Sequence, residues 1–196
     1  MGARALPGEA VHALSFGGEA SIRAAVHADV DALAAVHARA SRAAWAGLLP
    51  AEPLERLSSV ERRRGQWRER LATTSRQSHS LVAEVGGQVA GLLAVGPTRD
   101  DDRDPTAVGE VAVLYVDPAL WGRGIGRALL SEAVERLRRD GFASATLWTL
   151  ATGARTRRFY ELAGWRPEGT ERPLHEGSGA FEVRYERTLG DHWQAP

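Results

Sequence analysis

Apolar and polar positions recur with two different periods along this chain, and the change of period divides it. From Val30 the positions Val30, Leu33, Ala34, Val36 and His37 fall on one side of a 3.6-residue repeat. That spacing predicts a helix, with Asp29 placed to cap it and a short strand over 21–26 ahead of it. A second helical stretch over 53–71 sets Leu54, Leu57, Val60 and Trp67 among arginines and glutamates, whose charges read as a solvated face. Residues 80–96, SLVAEVGGQVAGLLAVG, then turn to two β-rich runs joined at Gly86-Gly87, as in a compact hairpin. TRDDDRDPT follows as a polar loop with no reason to pack. GEVAVLYVDP, 109–118, is almost continuously apolar, as a strand buried on both faces should be, and Pro118 ends its ladder.

From Gly124 the helical period returns. Ile125, Leu129, Leu130, Ala133, Val134 and Leu137 share one face, Arg127, Glu132, Arg136 and Arg139 point away, and Gly141 supplies the stop. SATLWTL, 144–150, reads as a strand, TRRFYELAG, 156–164, as a short helix closed by Gly164, and AFEVRYERTL, 180–189, as a last strand. Together these elements predict an α/β (α+β) domain, a mixed sheet flanked by helices, over residues 21–190. Residues 1–20 lack any period and read as a flexible N-terminal tail, and 191–196 as a C-terminal tail.

Composition narrows the chemistry. At 196 residues the chain suits a single core. Its 25 basic residues balance 25 acidic ones, so no global field draws it to nucleic acid or a membrane surface, and neither is expected as a partner. Every basic residue is arginine, which excludes Schiff bases and the lysine of a phosphate loop; the absence of cysteine excludes thiolate nucleophiles and cysteine metal sites. His12, His27, His37, His79, His175 and His192 show no metal-ligand spacing, so no metal is expected, and no GxSxG elbow occurs. No apolar run approaches the roughly 18 residues of a membrane span, and the first twenty residues hold no secretory segment, which points to the cytoplasm.

One stretch asks for a ligand. In LWGRGIGRALL, 120–130, glycines crowd the mouth of a helix. The dinucleotide fingerprint fails there, because Arg127 stands at its third glycine and Ser144 where an acidic residue is needed. What remains is backbone N–H groups brought close to an anion such as a pyrophosphate, helped by the positive helix end and by Arg123 and Arg127. A tight turn whose glycines serve only packing stands beside that reading.

The run EVAVLYVDPALWGRGIGRALL, followed some thirty residues later by RRFYELAGW, resembles the signature of the GNAT acyltransferases, which bind acetyl-coenzyme A at a glycine turn. Gly124 and Gly126 match the glycines of that turn, whereas Trp121 stands where the family usually has Gln or Arg. The resemblance spans roughly residues 21–189. It implies a GNAT-like, mostly antiparallel central sheet with a splayed strand pair that binds the cofactor. It further implies that the N–H groups of Gly122, Arg123, Gly124, Ile125, Gly126 and Arg127 hold the pyrophosphate, next to Trp121, and that Arg158 also serves the cofactor. Leu114, Tyr115 and Val116 would donate N–H groups to the pantetheine arm or the thioester oxygen. Tyr160 falls where family members place the acid for the departing thiolate, and Glu110 where some use a glutamate base, directly or through water; packing and a solvated strand end are the bland alternatives. Gly153 replaces an Asn common in the family.

The implied activity is an N-acetyltransferase that moves an acetyl group from acetyl-CoA, its co-substrate, to a primary amine of a small molecule or peptide by direct attack, through a tetrahedral intermediate. A protein N-terminal acetyltransferase with an open groove near 45–60 and 170–180, and a non-catalytic acyl-CoA-binding module, are alternatives. An enzyme acting on charged tRNA would need a basic patch, and only 61–76, with Arg62, Arg63, Arg64, Arg68, Arg70 and Arg76, offers one. Trp45, Trp67 and Trp148 could line an acceptor pocket. Family members often pair, so the resemblance allows a homodimer.

Overall fold

The computed structural model of the protein describes residues 20–73, 75–174 and 178–190. The tails at 1–19 and 191–196, with His12 and His192, lie outside the described residues, as does His175. Seven strands, β1 (Ala20–Ala24), β2 (His79–Val85), β3 (Gln88–Pro97), β4 (Val108–Val116), β5 (Ser144–Leu150), β6 (Arg166–Pro173) and β7 (Phe181–Thr188), form one sheet in the order β1-β2-β3-β4-β5-β7-β6. Among the described residues every neighbouring pair is antiparallel except β4 with β5.

Among the described residues five α-helices cover its two faces: α1 (Val30–Trp45), α2 (Ala51–Leu57), α3 (Val60–Ala72), α4 (Ile125–Arg139) and α5 (Ala154–Leu162). On one face Val30, Leu33 and Val36 of α1 and Trp67 of α3 meet Val82, Leu92 and Ala94 of the sheet. On the other, Leu129, Leu130 and Leu137 of α4 and Tyr160 of α5 meet Leu93, Val111, Leu147 and Tyr185. The apolar stripe read from the sequence of α4 is the buried one, with Ala128 added. Leu129 and Leu137 are 0% exposed, and truncating either to Ala would cost about 2–5 kcal/mol. This helix lies unusually close to the sheet, because a Cβ at Gly109 would stand 2.7 Å from Leu137 Cδ2 and one at Gly91 2.9 Å from Leu129 Cδ1.

Several expectations are corrected. The stretch over 53–71 is two helices, broken at Ser58 and Ser59, where the Ser59 hydroxyl accepts from the Arg62 N–H at 3.4 Å and starts α3. Asp29 occupies the cap position of α1 without capping it: its carboxylate accepts from the Val26 N–H at 2.8 Å and pairs with Arg23 at 2.7 and 2.8 Å. β6 has no sequence signature, since RPEGTERP is an edge strand with no fully buried position and needs no apolar alternation.

The largest correction concerns TRDDDRDPT, which packs. Asp100 accepts from Trp148 Nε1 at 3.0 and 3.1 Å and from Arg184 at 3.1 Å, Asp102 accepts from Arg184 at 2.7 and 2.6 Å, and Arg103 pairs with Glu168. Arg99 at the start of the loop pairs with Glu110 on β4, and the other ionic partners that hold it lie on β6 and β7, far along the chain.

Candidate functional site

β4 and β5 keep register only from Val108 opposite Ser144 to Val111 opposite Leu147. At that point β4 bulges: Ala94 pairs with Val113 and Val95 with Val111, which leaves Ala112 unpaired. Beyond it β4 stays with β3 while β5 stays with β7 as far as Leu150, so the two strands part. The second half of β4 is therefore half-buried, not enclosed on both faces as its apolar run suggests.

Strand alternation decides which amides face the split. The Asp117 N–H bonds to the Ala90 oxygen at 2.8 Å, so the Tyr115 N–H also turns toward β3, and those of Leu114 and Val116 turn into the split. Of the three amides expected there, two remain. Tyr115 instead sets its ring on the α1 and α3 face. The side chains of Leu114 and Val116 join Leu120, Ala151 and Phe159 as half-buried apolar lining on the α4 face.

α4 starts immediately after this open end. Gly122 and Gly124 have φ of 81° and 82°, a left-handed backbone that costs other L-residues about 1–2 kcal/mol. The Trp121 N–H bonds to the Pro118 oxygen at 3.3 Å and the Ala128 N–H to the Gly124 oxygen at 3.0 Å. Between them, the N–H groups of Gly122, Arg123, Gly124, Ile125, Gly126 and Arg127 have no acceptor among the described residues. Such a run of orphan donors at a positive helix end is a site for an anion.

The surroundings agree. Arg123, Arg127 and Arg158 are exposed and have no ion pair among the described residues, and neither α4 nor α5 has an acidic residue in its first turn. Trp121 donates from Nε1 to the Val116 oxygen at 2.8 Å, and Arg155 lies 4.5 Å over its ring. Trp121 thus ties the glycine turn to β4. A Cβ at Gly126 would lie 3.6 Å from both Phe159 and Val116, which marks where α4, α5 and β4 converge. At Gly153 a Cβ would stand 3.2 Å from the Leu150 oxygen, so this tight β5–α5 turn disfavours an Asn there.

Tyr160 is 7% exposed, its ring edge-on to Phe159 at 5.1 Å and Trp165 at 6.4 Å. Its hydroxyl makes no hydrogen bond among the described residues. Burial, with the neighbouring Tyr115 phenol, pushes it well above the ordinary tyrosine range, so it keeps its proton. The proton gap to a thiolate is wider than the unperturbed values suggest.

Glu110 is 4% exposed, so it is no solvated strand end; its carboxylate accepts from Arg99 Nε at 2.9 Å, Nη2 at 2.7 Å and the Arg99 amide at 3.3 Å. Beside it on this face stands an acid the sequence reading passed over. Glu182 of β7 bonds to Arg172 at 3.1 Å, and burial pushes its carboxyl up. The alternation of Glu182, Arg184 and Glu186 with Val183 and Tyr185 was its signal.

His37 and Tyr115, stacked at 4.5 Å, had none, because they meet only through packing. Burial lowers His37 well below its usual range, and its Nδ1 accepts from Trp67 Nε1 at 3.3 Å. Burial likewise pushes the Tyr115 phenol up to about 12. Of the three tryptophans, Trp45 lies 6.3 Å from Tyr115 and Trp148 lies between Arg172 at 3.9 Å and Arg184 at 5.3 Å. Trp67, at 2% exposure, is core.

A sheet whose one parallel pair splits beside an amide-rich helix start offers a gap between strands next to donors suited to an anion. The chain belongs to the Acetyltransferase (GNAT) family, which its residues 43–165 match. It is 31% identical to a protein of Mycobacterium tuberculosis named as a probable N-acetyltransferase, over 78% of this chain and 85% of that one. A protein of Archaeoglobus fulgidus named as an uncharacterized N-acetyltransferase is 34% identical over 51% of this chain, which spans 65% of that relative's length.

Among solved structures, the PaiA N-acetyltransferase of Thermoplasma acidophilum in complex with coenzyme A superposes with a TM-score of 0.71, at 19% identity over 87% of this chain and 99% of that one. The YncA structure of Salmonella typhimurium with its cofactor acetyl-CoA gives 0.67, at 22% identity over 91% and 99%. These likenesses show the shared fold.

Proposed function

We propose that the protein transfers an acetyl group from acetyl-coenzyme A to a primary amine of a small molecule or peptide. The observation that carries this reading is the run of N–H groups from Gly122 to Arg127, unpaired among the described residues, opening onto the split between β4 and β5 and beside arginines that have no acidic partner there. Coenzyme A and acetyl-CoA, bound in the Thermoplasma and Salmonella structures of the same fold, have a pyrophosphate and a long arm that suit these two features.

In this reading those amides hold the pyrophosphate, while Arg123, Arg127 and Arg158 add charge-assisted bonds to its phosphates. Trp121 fixes the turn against Val116. The pantetheine arm lies along Leu114 and Val116, whose free N–H groups replace the missing strand partner. When bound, acetyl-CoA supplies an acetyl group activated as a thioester.

The chain's own groups do the rest. An N–H of Leu114 or Val116 meets the thioester oxygen and stabilises the charge that develops there. Glu110 takes the proton released by the ammonium, with Arg99 as the partner it must share. Tyr160, held protonated by burial, donates a hydrogen bond to the sulfur as it leaves. With no cysteine in the chain to carry the acetyl group, the amine attacks directly.

Isothermal titration with acetyl-CoA, desulfo-coenzyme A and NAD tests the binding half. Saturable binding of both coenzyme A compounds and none of NAD is expected; no binding would reduce the glycine turn to packing and remove the enzyme with it. For the chemistry, Tyr160→Phe should lower turnover by about tenfold to a hundredfold with acetyl-CoA affinity unchanged. An equal loss of both would assign Tyr160 to packing.

A further inference from the structure

The charge run of α3 is not wholly a solvated face. Arg62 and Arg68 are exposed, but Arg63 is 8% exposed and sits one turn from the buried Trp67. No carboxylate pairs with it among the described residues. Its Nη1 donates to Gln66 Oε1 at 2.9 Å, and its Nε is enclosed with no acceptor among the described residues. The guanidinium lies 5.8 Å from the Trp45 ring centroid. Burial lowers its hold on the proton, opposed only by the nearby Tyr115 phenol.

Arg184, at 2% exposure, shows what this fold does with a buried guanidinium it needs for structure: it surrounds it with Asp100, Asp102 and Glu168. A cation enclosed without that compensation is costly, so Arg63 stands out. Arg70 extends the feature. It is half-buried on the same side of α3, and burial lowers it too, with Arg99 adding to and Glu110 opposing that shift; it makes no hydrogen bond or ion pair among the described residues. The acids of this face, Glu110 and Glu182, already have arginine partners of their own.

We propose that Arg63 binds a carboxylate on the acceptor, so that the substrate is an amine carrying an anionic group, amino-acid-like in its charge pattern. The direction of its amine, toward the split and the acids Glu110 and Glu182, rests on the acetyl-transfer reading; the carboxylate site does not. A planar guanidinium receives a carboxylate with two parallel bonds, and that of Arg63 has donors to spare, its Nε being without an acceptor among the described residues. Trp45 and Tyr115 flank it as apolar walls that strengthen the pairing by excluding water.

The probes are the common L-amino acids and 4-aminobutanoate, each beside its own carboxamide. They are titrated by ligand-observed NMR into the whole protein with and without coenzyme A, and then assayed for coenzyme A release with acetyl-CoA. At least one carboxylate should bind about tenfold more tightly than its amide. Arg63→Met, its fold checked by circular dichroism, should level that pair while leaving amide binding and acetyl-CoA affinity unchanged. Arg63→Lys, which keeps the charge and loses the fork, should fall between.

A set in which no carboxylate outbinds its amide overturns the proposal, as does a preference that survives Arg63→Met. A carboxylate preference lost in Arg63→Met but accompanied by no coenzyme A release would support the anion site and overturn acetyl transfer to these amines.

Discussion

Around the split between β4 and β5, residues 122–127 supply unpaired amides from consecutive positions, whereas on the α1 and α3 face the charged groups come from α3, the 98–107 loop, β4, β6 and β7 and are joined across as many as 84 residues. Among the described residues the first region leaves its arginines without acids, whereas the second pairs Arg99, Arg103, Arg172 and Arg184 with carboxylates, though of the α3 arginines it pairs only Arg64. An amide donor is aimed by the φ and ψ of its own residue and its neighbours, so a few glycines suffice to build the first. A buried side-chain charge has to be met by another one, and the partner is delivered only by strand order. Of the two buried arginines among the described residues, Arg184 has three carboxylates and Arg63 has none, and that is what marks it.

Gly124→Val attacks the first region where it is most local. A β-branched residue at a φ of 82° must shift the turn, and acetyl-CoA affinity should fall about a hundredfold, read by isothermal titration, while the far side of the sheet keeps its ion pairs. Retained affinity would mean that the amides are not the holding groups.

Asp100→Asn attacks the second region. It leaves Trp148 Nε1 an acceptor but removes a charge from buried Arg184, which keeps Asp102 and Glu168, so stability should fall by about 2 kcal/mol in urea unfolding. Acetyl-CoA affinity should scarcely change, and a parallel loss would erase the contrast between the regions.

The smallest effect is on acid stability. Arg184 holds Asp102 down to about 2, and the Arg23 hydrogen bonds lower Asp29; both start from an ordinary value of 3.8. Because the folded carboxylates are the more acidic, their stabilisation is fully present above the unfolded value and is lost as pH falls through the folded one. Tm should therefore drop most between about pH 4 and pH 2, and Asp102→Asn should flatten that fall. A Tm that changes equally above pH 5 in both proteins would place the acid sensitivity elsewhere.

Periodicity alone located β1 to β5, β7, α1, α4 and α5 to within a few residues, because each has a face that must be apolar. The glycine turn was legible for a related reason: its conformation and its orphan amides are properties of one short segment. The family resemblance drew on that stretch together with RRFYELAGW some thirty residues further on. β6 was invisible because an edge strand with no buried position imposes no pattern, and the helix break at Ser58–Ser59 because propensity changes little across it.

What the sequence by itself determined is thus six of the strands, the α4 layer and the glycine turn that starts it, all encoded within single elements. Only the tertiary structure decided that TRDDDRDPT is pinned by β6 and β7, that Tyr115 turns its amide away from the split, that burial keeps Tyr160 protonated, and that Arg63 is enclosed without an acid. Each of these depends on which distant segments come to lie against a given residue, and burial and pairing are properties of that neighbourhood, not of the residue.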